Sequence, residues 1–401
     1  MNASRVVVLG YIVRGPLGGM SWHHLQYCIG LHRLGHDVWF VEDSEDYPSC
    51  YDPTTHATTT NPEYGLAYAR SVFERVGVGA RWAYIDRHAG IRHGPAAGRV
   101  DELARTADVV LNLSGVNPLG DFAGVPARVL VDTDPAFTQV RHLTDRAAHQ
   151  RAAMHTHFAT FATSFGTPDC MLPDDGFDWH PTRQPLVADV WQVTPLPVAQ
   201  RLTTVMQWES YPAVDFDGLH LGMKSASMTP LLDLPSRCPP GVCLELAVGG
   251  TTVPRAGLIG AGWHIEDPTL ASRDPWTFQT YMRESFGEFS VAKQGYVATR
   301  SGWFSERSLG YLASGRPVIT EDTAFSSWLP TGDGLLAYCD IDQAAAAIAD
   351  VAAHPQRHAR AARAVAVEHF DHRVVLADLL QLAGTASAGR PRSVEGRASD
   401  S

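Results

Sequence analysis

An alternation of short apolar strands and amphipathic helices is the feature that most restricts how this sequence can fold. The first unit has a strand at Arg5–Leu9, a glycine-rich loop, a helix over about 22–34 and a second strand at 36–41. Because a helix connects the two strands, they are expected to pair in parallel through a right-handed crossover. A second series of such units begins with a strand at 202–207. Ligands of parallel sheets bind beyond the carboxyl ends of the strands, so functional residues are expected there.

The length of the chain predicts two domains. A single core rarely grows beyond about 250–300 residues, and the sequence has 401. We expect an N-terminal Rossmann-like α/β domain over residues 1–190 and a C-terminal one over 191–355. The proline-rich segment 172–197 is the predicted linker between the halves. The polar tail 385–401 is predicted to be disordered.

Composition narrows the class of protein. Hydrophobic residues make up 45% of the chain and charged residues 19%, which is typical of a soluble globular protein. The formal net charge of −11 argues against a nucleic-acid partner, since nucleic acids are bound through basic surfaces. No apolar run approaches the ~18 residues of a membrane span, and the start of the sequence lacks a signal-peptide pattern. Six scattered cysteines suit a reducing cytoplasm, whereas the oligomeric state is not readable from the sequence.

The glycine-rich loop after the first strand invites a dinucleotide-binding interpretation. An acidic residue, Glu42, follows the second strand, as in many dinucleotide sites. However, Gly10, Gly15, Gly18 and Gly19 do not have the G-x-G-x-x-G spacing that brings the backbone against a pyrophosphate. A dinucleotide-dependent oxidoreductase is therefore a less favoured alternative.

The stretch 300–323, RSGWFSERSLGYLASGRPVITEDT, carries the strongest indication of a binding site. It predicts a turn, a helix that Gly315 ends, and a strand after Pro317. The start of such a helix presents free N–H groups and the positive end of the helix dipole, which suits a diphosphate. An ordinary capped helix with solvated arginines is the alternative. The further donors expected at this end are Arg300, Ser305, Arg307 and Ser308.

Lysine is rare in this sequence. Of the 32 basic residues only Lys224 and Lys293 are lysine, and both lie in the second half. Against an arginine-rich background, a lysine can mark a position where a compact ammonium group is required. The pair is therefore a hint of a cationic site in the C-terminal half.

Acidic and histidine clusters offer little evidence of a metal site. Asp132 and Asp134 follow the strand at 127–131 with D-x-D spacing, but no third ligand accompanies them. His142, His149, His155 and His157 also lack metal-site spacing. We therefore predict no metal and treat Asp134 as a cleft carboxylate.

Several runs of the chain resemble the glycosyltransferases that are commonly called GT-B, and in particular bacterial enzymes of the group 1 and family 4-like class, several of which occur in natural-product clusters. The matching runs are GPLGGMSWHHLQY with LGHDVWFVED, then VDTDPAFTQ and DWHPTRQP, and finally GEFSVAKQGYVATRSGWFSERSLGYLASGRPVITEDTAFSSWLPTGDGLLAY. The SGWFS element also resembles the HCGWNS element of plant small-molecule glycosyltransferases, with Arg300 in place of the histidine.

The resemblance implies two Rossmann-like domains that face each other across a cleft, with the helical residues 356–384 crossing back to the N-terminal domain. It also implies metal-independent transfer of a sugar, with no cofactor, from a UDP, GDP or dTDP sugar to a small-molecule acceptor. If the reaction inverts, the base comes from His24, His23 or Asp134. The implied acceptor contacts are Gly18, Gly19 and Trp22. The implied donor contacts are Lys293, Arg300, Ser301, Gly302, Ser305, Arg307, Ser308, Glu321, Asp322 and Thr323.

One departure from the pattern leaves the stereochemistry open. Gly310 stands where many retaining members place a glutamate before the Gly-x-Pro turn, so this motif does not separate retention from inversion. A non-catalytic nucleotide-sugar-binding protein on the same fold is the main alternative, because the donor motif does not require a base in the other half.

Overall fold

A computed structural model describes residues 3–45 and 48–384. The predicted disordered tail, 385–401, lies outside the described residues. The N-terminal half contains ten strands and five helices among its described residues. The strands are β1 (Arg5–Leu9), β2 (Asp37–Asp43), β3 (Cys50–Asp52), β4 (Ala57–Thr59), β5 (Trp82–Asp86), β6 (Ile91–His93), β7 (Val109–Leu113), β8 (Ala127–Asp132), β9 (His157–Thr160) and β10 (Trp179–Pro181). The helices are α1 (Gly18–Arg33), α2 (Glu63–Arg75), α3 (Val100–Thr106), α4 (Phe137–Thr144) and α5 (Arg146–Ala152).

Eight of these strands form one sheet in the order β10-β9-β8-β7-β1-β2-β5-β6. The pairs are parallel except for β5 with β6. The apolar run of β1 is buried because helices cover both faces of the sheet, as a central parallel strand requires. Since β1 lies between β2 and β7, the strand order reverses there and a crevice opens beyond the ends of β1 and β7.

The C-terminal half repeats this architecture. Its strands are β11 (Gln200–Gln207), β12 (Val214–Phe216), β13 (Leu219–Leu221), β14 (Val242–Gly249), β15 (His264–Glu266), β16 (Gly287–Ser290), β17 (Val318–Glu321) and β18 (Leu335–Tyr338). Its helices are α6 (Lys224–Met228), α7 (Arg255–Gly260), α8 (Pro268–Ser272), α9 (Pro275–Glu284), α10 (Gln294–Ala298), α11 (Glu306–Ala313), α12 (Ile341–Ala353), α13 (Pro355–His369) and α14 (His372–Leu382). Six strands form a parallel sheet in the order β15-β14-β11-β16-β17-β18. The sheets lie on either side of residue 190, while the exact domain limits stay a prediction.

The last two helices of the chain pack on different domains. Helix α13 packs on α11 and β18, whereas α14 packs on α1. Gly30 permits the close approach of α14, because a Cβ atom there would lie 2.6 Å from Leu376 Cδ1. The chain crosses from the N-terminal to the C-terminal half near Leu186 and returns near Phe370–His372. These two crossings lie side by side: the Leu186 N–H donates to the Phe370 carbonyl (2.6 Å), and the His372 N–H donates to the Leu186 carbonyl (3.1 Å). Among the described residues no helix combines the length and the apolar character needed to cross a membrane.

An apolar cluster joins the two halves beside the sheet ends. The β12–β13 hairpin and α10 contribute Leu221 and Tyr296 from the C-terminal half, and α4 contributes Phe137 and Val140 from the N-terminal half. A hairpin pressed between the halves fixes the position of the loops on both sides of the crevice.

Candidate active site

A cavity of about 530 Å³ lies between the two sheets. We call it the interdomain cleft. Its N-terminal wall comes from the loops after β1, β7 and β8 and from the start of α1, and its C-terminal wall comes from the segments after β11 and β16 and from the start of α11. These are the carboxyl ends of parallel strands, where ligands of such sheets bind. The volume falls within the range of small-molecule sites, about 300–1,000 Å³.

The start of α11 lies on the C-terminal wall, as the sequence predicts. Ser305 precedes the helix and its hydroxyl accepts the Arg307 N–H at 3.2 Å. The Arg307 guanidinium is held in place by Glu288 (Nε to Oε1, 2.5 Å), by the Val205 carbonyl (3.0 Å) and by the Ser290 hydroxyl. Arg307 therefore faces the cleft in a fixed position, with its charge balanced by a buried carboxylate.

Lys224 is a second cation on this wall, and the sequence-based set of donor contacts omits it. The side chain is half-buried and lines the cleft, and the described part of the chain offers it no hydrogen-bond or ion-pair partner. Burial, followed by the charges of Arg307 and Lys293, lowers the pKa of Lys224 to about 7. An unpaired ammonium in such surroundings is stabilised when an anion binds beside it. The scarcity of lysine was the available signal for it.

A network of polar side chains crosses the cleft between the domains. Lys293 Nζ donates to Asp134 Oδ1 (2.7 Å) and to the Tyr211 hydroxyl (2.6 Å). The hydroxyls of Tyr211 and Tyr296 also donate to the Asp134 carboxylate. The ammonium lies 4.3 Å from the Tyr211 ring centroid, a cation–π distance. The prediction of Asp134 as the catalytic base is therefore corrected, because its carboxylate is used to bind three donors from the opposite domain.

The two neighbouring histidines at the start of α1 differ completely in their surroundings. His23 lines the cleft, and both of its ring nitrogens are buried without a hydrogen-bond partner in the described structure. Burial lowers its pKa, so the imidazole is neutral near pH 7 and able to accept a proton. His24 faces the interior, where Nδ1 pairs with the Met20 carbonyl (2.8 Å) and Nε2 accepts the Tyr11 N–H (3.2 Å). The prediction of His24 as a base is wrong, since neither nitrogen reaches the cleft.

The turn before α11 has a different role from the one that the sequence predicts. Arg300 has a left-handed backbone (φ +48°) and an exposed side chain that does not line the cleft. Ser301 and Gly302 bind the N-terminal domain: the Ser164 N–H donates to the Ser301 carbonyl (3.1 Å) and the Thr163 hydroxyl donates to the Gly302 carbonyl (2.7 Å). Ser301 and Gly302 hold the domains together and Arg300 forms the turn, so all three are corrected as donor contacts.

The other predicted donor contacts also lie outside the cleft lining. The Ser308 hydroxyl is buried below it. Glu321 accepts the Ala292 N–H (3.2 Å), and burial raises its pKa to about 7. The Asp322 carboxylate binds the Ser326 hydroxyl at 2.6 Å, and Thr323 donates to the Trp303 carbonyl. Glu321, Asp322 and Thr323 bind groups of the surrounding structure, so their predicted contact with donor hydroxyls is corrected. The Ser308 hydroxyl has no hydrogen-bond partner within the described residues, but its position below the cleft lining corrects its predicted contact with the donor as well.

The predicted acceptor contacts are divided between binding surface and packing. Gly19 and Trp22 line the cleft. Gly18 does not: a Cβ atom there would lie 2.8 Å from Phe278 Cβ, so this position allows α1 to approach α9 of the other domain. The Trp22 indole also spans the domains, since its N–H donates to the Pro275 carbonyl at 2.7 Å. The prediction for Gly18 is corrected to domain packing.

The backbone N–H groups of the glycine-rich loop after β1 are already hydrogen-bonded to a side chain of the protein. The backbone N–H groups of Ile12 (2.7 Å), Val13 (2.7 Å) and Arg14 (2.8 Å) all donate to the Glu42 carboxylate, as does Arg14 Nε (3.1 Å). Glu42 is fully buried at the end of β2. These amides are thus unavailable to a pyrophosphate, which removes the structural basis of the dinucleotide alternative.

One group of side chains in the described structure has metal-ligating atoms within 4.8 Å of one another: Glu245, His264 and Glu266. It lies at the edge of the second sheet, where Glu245 is already bound by Arg201 (2.9 Å) and by the Tyr281 hydroxyl (2.7 Å). The carboxylate charge is balanced by arginine, so this group is a weak site for a cation.

Solved structures with this architecture include several glycosyltransferases. An α-glucosyltransferase in complex with UDP and a 13-mer DNA containing an HMU base matches with a TM-score of 0.57 and 9% identity, over 96% of this chain and 100% of that chain. The Anabaena protein HepE in complex with UDP-glucose has a TM-score of 0.57 and 13% identity, over 96% and 100% of the two chains. AviGT4, a glycosyltransferase involved in avilamycin A biosynthesis, has a TM-score of 0.53 and 14% identity, over 95% and 97%. No protein-family model and no curated protein matches the sequence.

These structures correct one prediction and bear out another. The exclusion of nucleic acid from net charge is wrong, because a glucosyltransferase of this architecture holds DNA. The predicted fold class is confirmed by the two sheets of mainly parallel strands, which face each other across the cleft, and by the match over nearly the whole chain. The chain therefore has the two-domain fold of the GT-B glycosyltransferases.

Proposed function

We propose that the protein is a glycosyltransferase that moves a sugar from a nucleoside diphosphate sugar to an acceptor hydroxyl in the interdomain cleft. One observation carries the proposal. The cleft places an unpaired cation, Lys224, and the start of α11 opposite His23, a buried imidazole with two unused nitrogens. An anion site that faces a proton acceptor is the arrangement that an inverting transfer requires, and we propose inversion on this ground.

The donor diphosphate is proposed to bind at Lys224, Ser305 and Arg307. The charge of Arg307 is balanced by Glu288, and that of Lys293 by Asp134. Lys224 makes no hydrogen bond or ion pair within the described residues and feels the carboxylates of Glu306 and Glu288 only at longer range, so it is the cation on this wall that is available to a diphosphate. The α11 dipole adds to it. Together they can stabilise the charge of the leaving diphosphate, so we propose that neither a metal ion nor a cofactor is needed. UDP-glucose is the first donor to test, because HepE was solved with it.

In the proposed inverting reaction the acceptor oxygen forms a bond to the anomeric carbon of the sugar. The bond from that carbon to the phosphate oxygen breaks, and its electron pair leaves with the nucleoside diphosphate. The proton of the acceptor hydroxyl passes to a ring nitrogen of His23. Burial keeps this imidazole neutral before the reaction, which is the protonation state that a base needs.

The acceptor is proposed to bind against the N-terminal wall. The surface there is rich in aromatic and apolar side chains, which suits a small molecule with an apolar face. DNA with a hydroxymethylated base belongs in the acceptor panel, because the α-glucosyltransferase holds such a DNA. The side chains of this N-terminal wall include Tyr11, Leu17, Met20, Trp22 and Trp191.

All six cysteines are free thiols, which supports a cytoplasmic location.

Isothermal titration with UDP-glucose, UDP, GDP, dTDP and NAD tests the donor site. We expect one nucleoside diphosphate to bind and Lys224→Gln to weaken it about 10-fold or more, since a hydrogen bond to a charged group contributes about 1.5–3 kcal/mol. Arg300→Gln is the matched control, because it removes one positive charge outside the cleft. Binding of NAD alone, or equal losses in both variants, would refute the donor site.

Transfer itself is measured by mass spectrometry of the acceptor panel and by release of the nucleoside diphosphate. We expect release that depends on acceptor. Tight donor binding without transfer to any acceptor and without donor hydrolysis would instead identify a nucleotide-sugar-binding protein.

A further inference from the structure

Glu306 is an acidic residue in a cleft that favours an anion. It is the first residue of α11, its side chain is exposed, and it lines the cleft. Across residues 3–45 and 48–384 no hydrogen-bond or ion-pair partner is found for it. Asp134, the other carboxylate on the cleft lining, is paired with Lys293. A carboxylate at the first position of a helix interacts favourably with the dipole, but this effect does not require it to face the cleft.

His23 lies on the opposite wall and also lacks a partner. Its ring packs edge-on against His24, Tyr27 and Phe161, and none of these contacts supplies a hydrogen bond to either nitrogen. Burial lowers the pKa of His23, and the Glu306 carboxylate acts in the opposite sense. The titratable groups that face this imidazole are therefore His24 and Tyr27 from its own helix and Glu306 from the other domain.

A neutral imidazole carries one N–H and one free nitrogen, and after accepting a proton it carries two N–H groups. A base of this kind works best when an acceptor holds the first N–H, because the bond orients the ring and stabilises the imidazolium. No residue of the N-terminal domain in the described structure fills that position at His23. Glu306 is the carboxylate across the cleft that makes no hydrogen bond or ion pair within the described residues. The charged groups that face it on its own wall are Lys224 and Arg307, whose pKa values its charge raises, and the hydroxyls of Tyr11 and Tyr296 also lie within its field.

We propose that Glu306 is the positioning residue for His23: its carboxylate accepts the N–H of the imidazole when substrates bind, and the second nitrogen then takes the acceptor proton. The pairing rests on the proposed glycosyl transfer. Because α1 and α11 belong to different domains, the base is complete only when the two domains are closed on the substrates. Proton transfer is thus coupled to cleft closure.

The test compares kcat and KM across pH for the full-length protein and for Glu306→Gln, Glu306→Asp and Glu63→Gln. Glu63 is the matched control, because it is also an exposed glutamate at the first position of a helix but lies outside the cleft. We expect Glu306→Gln to lower kcat about 10- to 100-fold, less than the roughly 10²- to 10⁴-fold contribution of a general base, because the variant keeps the base and removes only the group that positions it. Removing the carboxylate lowers the pKa of the imidazole, so the acid limb of the kcat profile should move to lower pH by about one unit. Glu306→Asp should restore part of both effects.

An acid limb that stays in place in Glu306→Gln would overturn the pairing. A loss confined to the donor KM would overturn it as well, because it would place Glu306 against the nucleotide or the sugar. Equal effects in Glu63→Gln would show a helix-dipole effect only. If the wild-type protein transfers no sugar, the proposed function fails and the pairing fails with it; if the wild-type protein is active, these outcomes bear on the pairing alone.

Discussion

Lys224 should make donor binding strongly dependent on pH. Its ammonium lines the cleft without a partner, and burial together with Arg307 and Lys293 lowers its pKa to about 7. A bound diphosphate favours the charged form and raises that pKa toward the usual value. The donor therefore binds the protonated form, and its affinity should fall as pH rises through about 7.

The size of the effect follows from this pKa. If only the protonated form binds, the apparent Kd increases by the factor by which the free lysine loses its proton. Between about pH 6 and about pH 8.5 this factor is roughly 30, which corresponds to about 2 kcal/mol of binding free energy. The diphosphate of an intact nucleotide sugar has no group that titrates in this range. His23, whose pKa burial lowers, is already neutral over most of it.

Isothermal titration of the nucleotide sugar identified in the donor screen, across this pH range, measures the effect. Lys224→Arg is the decisive variant, because its guanidinium stays charged at every pH used. We expect tight binding with a flat pH profile for Lys224→Arg, and weak binding with a flat profile for Lys224→Gln. A flat profile for the wild-type protein, or a profile in Lys224→Arg that still falls with pH, would refute the reasoning.

Three further variants test other parts of the site and the fold. His23→Gln should lower turnover about 10²- to 10⁴-fold with an unchanged donor Kd, and turnover within about threefold of wild type would exclude it as the base. Asp134→Asn should lower the free energy of unfolding by about 1–3 kcal/mol in urea, because Lys293 loses its carboxylate at the domain interface. The control Asp189→Asn, which removes the exposed pair with Arg33, should cost no more than about 0.5 kcal/mol, and equal costs would contradict the role of the network. Gly302→Ala should cost about 1–3 kcal/mol more than Gly176→Ala: both backbones are left-handed, but the new Cβ atom would lie 2.8 Å from Ser164 N at Gly302 and meets nothing within 4 Å at Gly176. Similar costs would show that the domains do not approach closely there.

The strand–helix–strand units were predictable because their signals are local. The apolar run of β1 and the glycine after α1 are enough to predict the first unit. The helical pattern at the end of the chain was harder, because its apolar period continues through 356–382. The structure divides it at Phe370, which is fully buried, and at Asp371, whose carboxylate accepts the Arg373 N–H (2.8 Å) and begins α14. The Asp371 cap is a local signal, whereas the burial of Phe370 and the packing of α14 on α1 follow from tertiary structure.

The candidate site was predictable only in part, because each residue's role depends on the direction of its side chain in the folded chain. Arg300 is of a residue type that binds phosphate, yet its backbone is left-handed and its side chain does not line the cleft. His23 and His24 are indistinguishable as residue types, and the helix register alone decides which one lines the cavity. Lys224 lies close enough to Arg307 for the arginine charge to lower its pKa, although the two residues are distant in the sequence, one at the start of α6 and the other in α11. Such placements follow from tertiary structure and carry no local signal.

The paired crossings at Leu186 and Phe370–His372 have a mechanical consequence. Two separate passages of the chain between the domains are tied to each other by backbone hydrogen bonds at one place. This connection favours a hinge motion over a shear motion. The two domains can rotate about that place, whereas sliding past each other would break the hydrogen bonds. In such a rotation, the atoms that lie farthest from the hinge move apart the most. Product release should therefore begin at the rim opposite Leu186, and substitutions that stiffen the crossings should slow release without changing the chemistry.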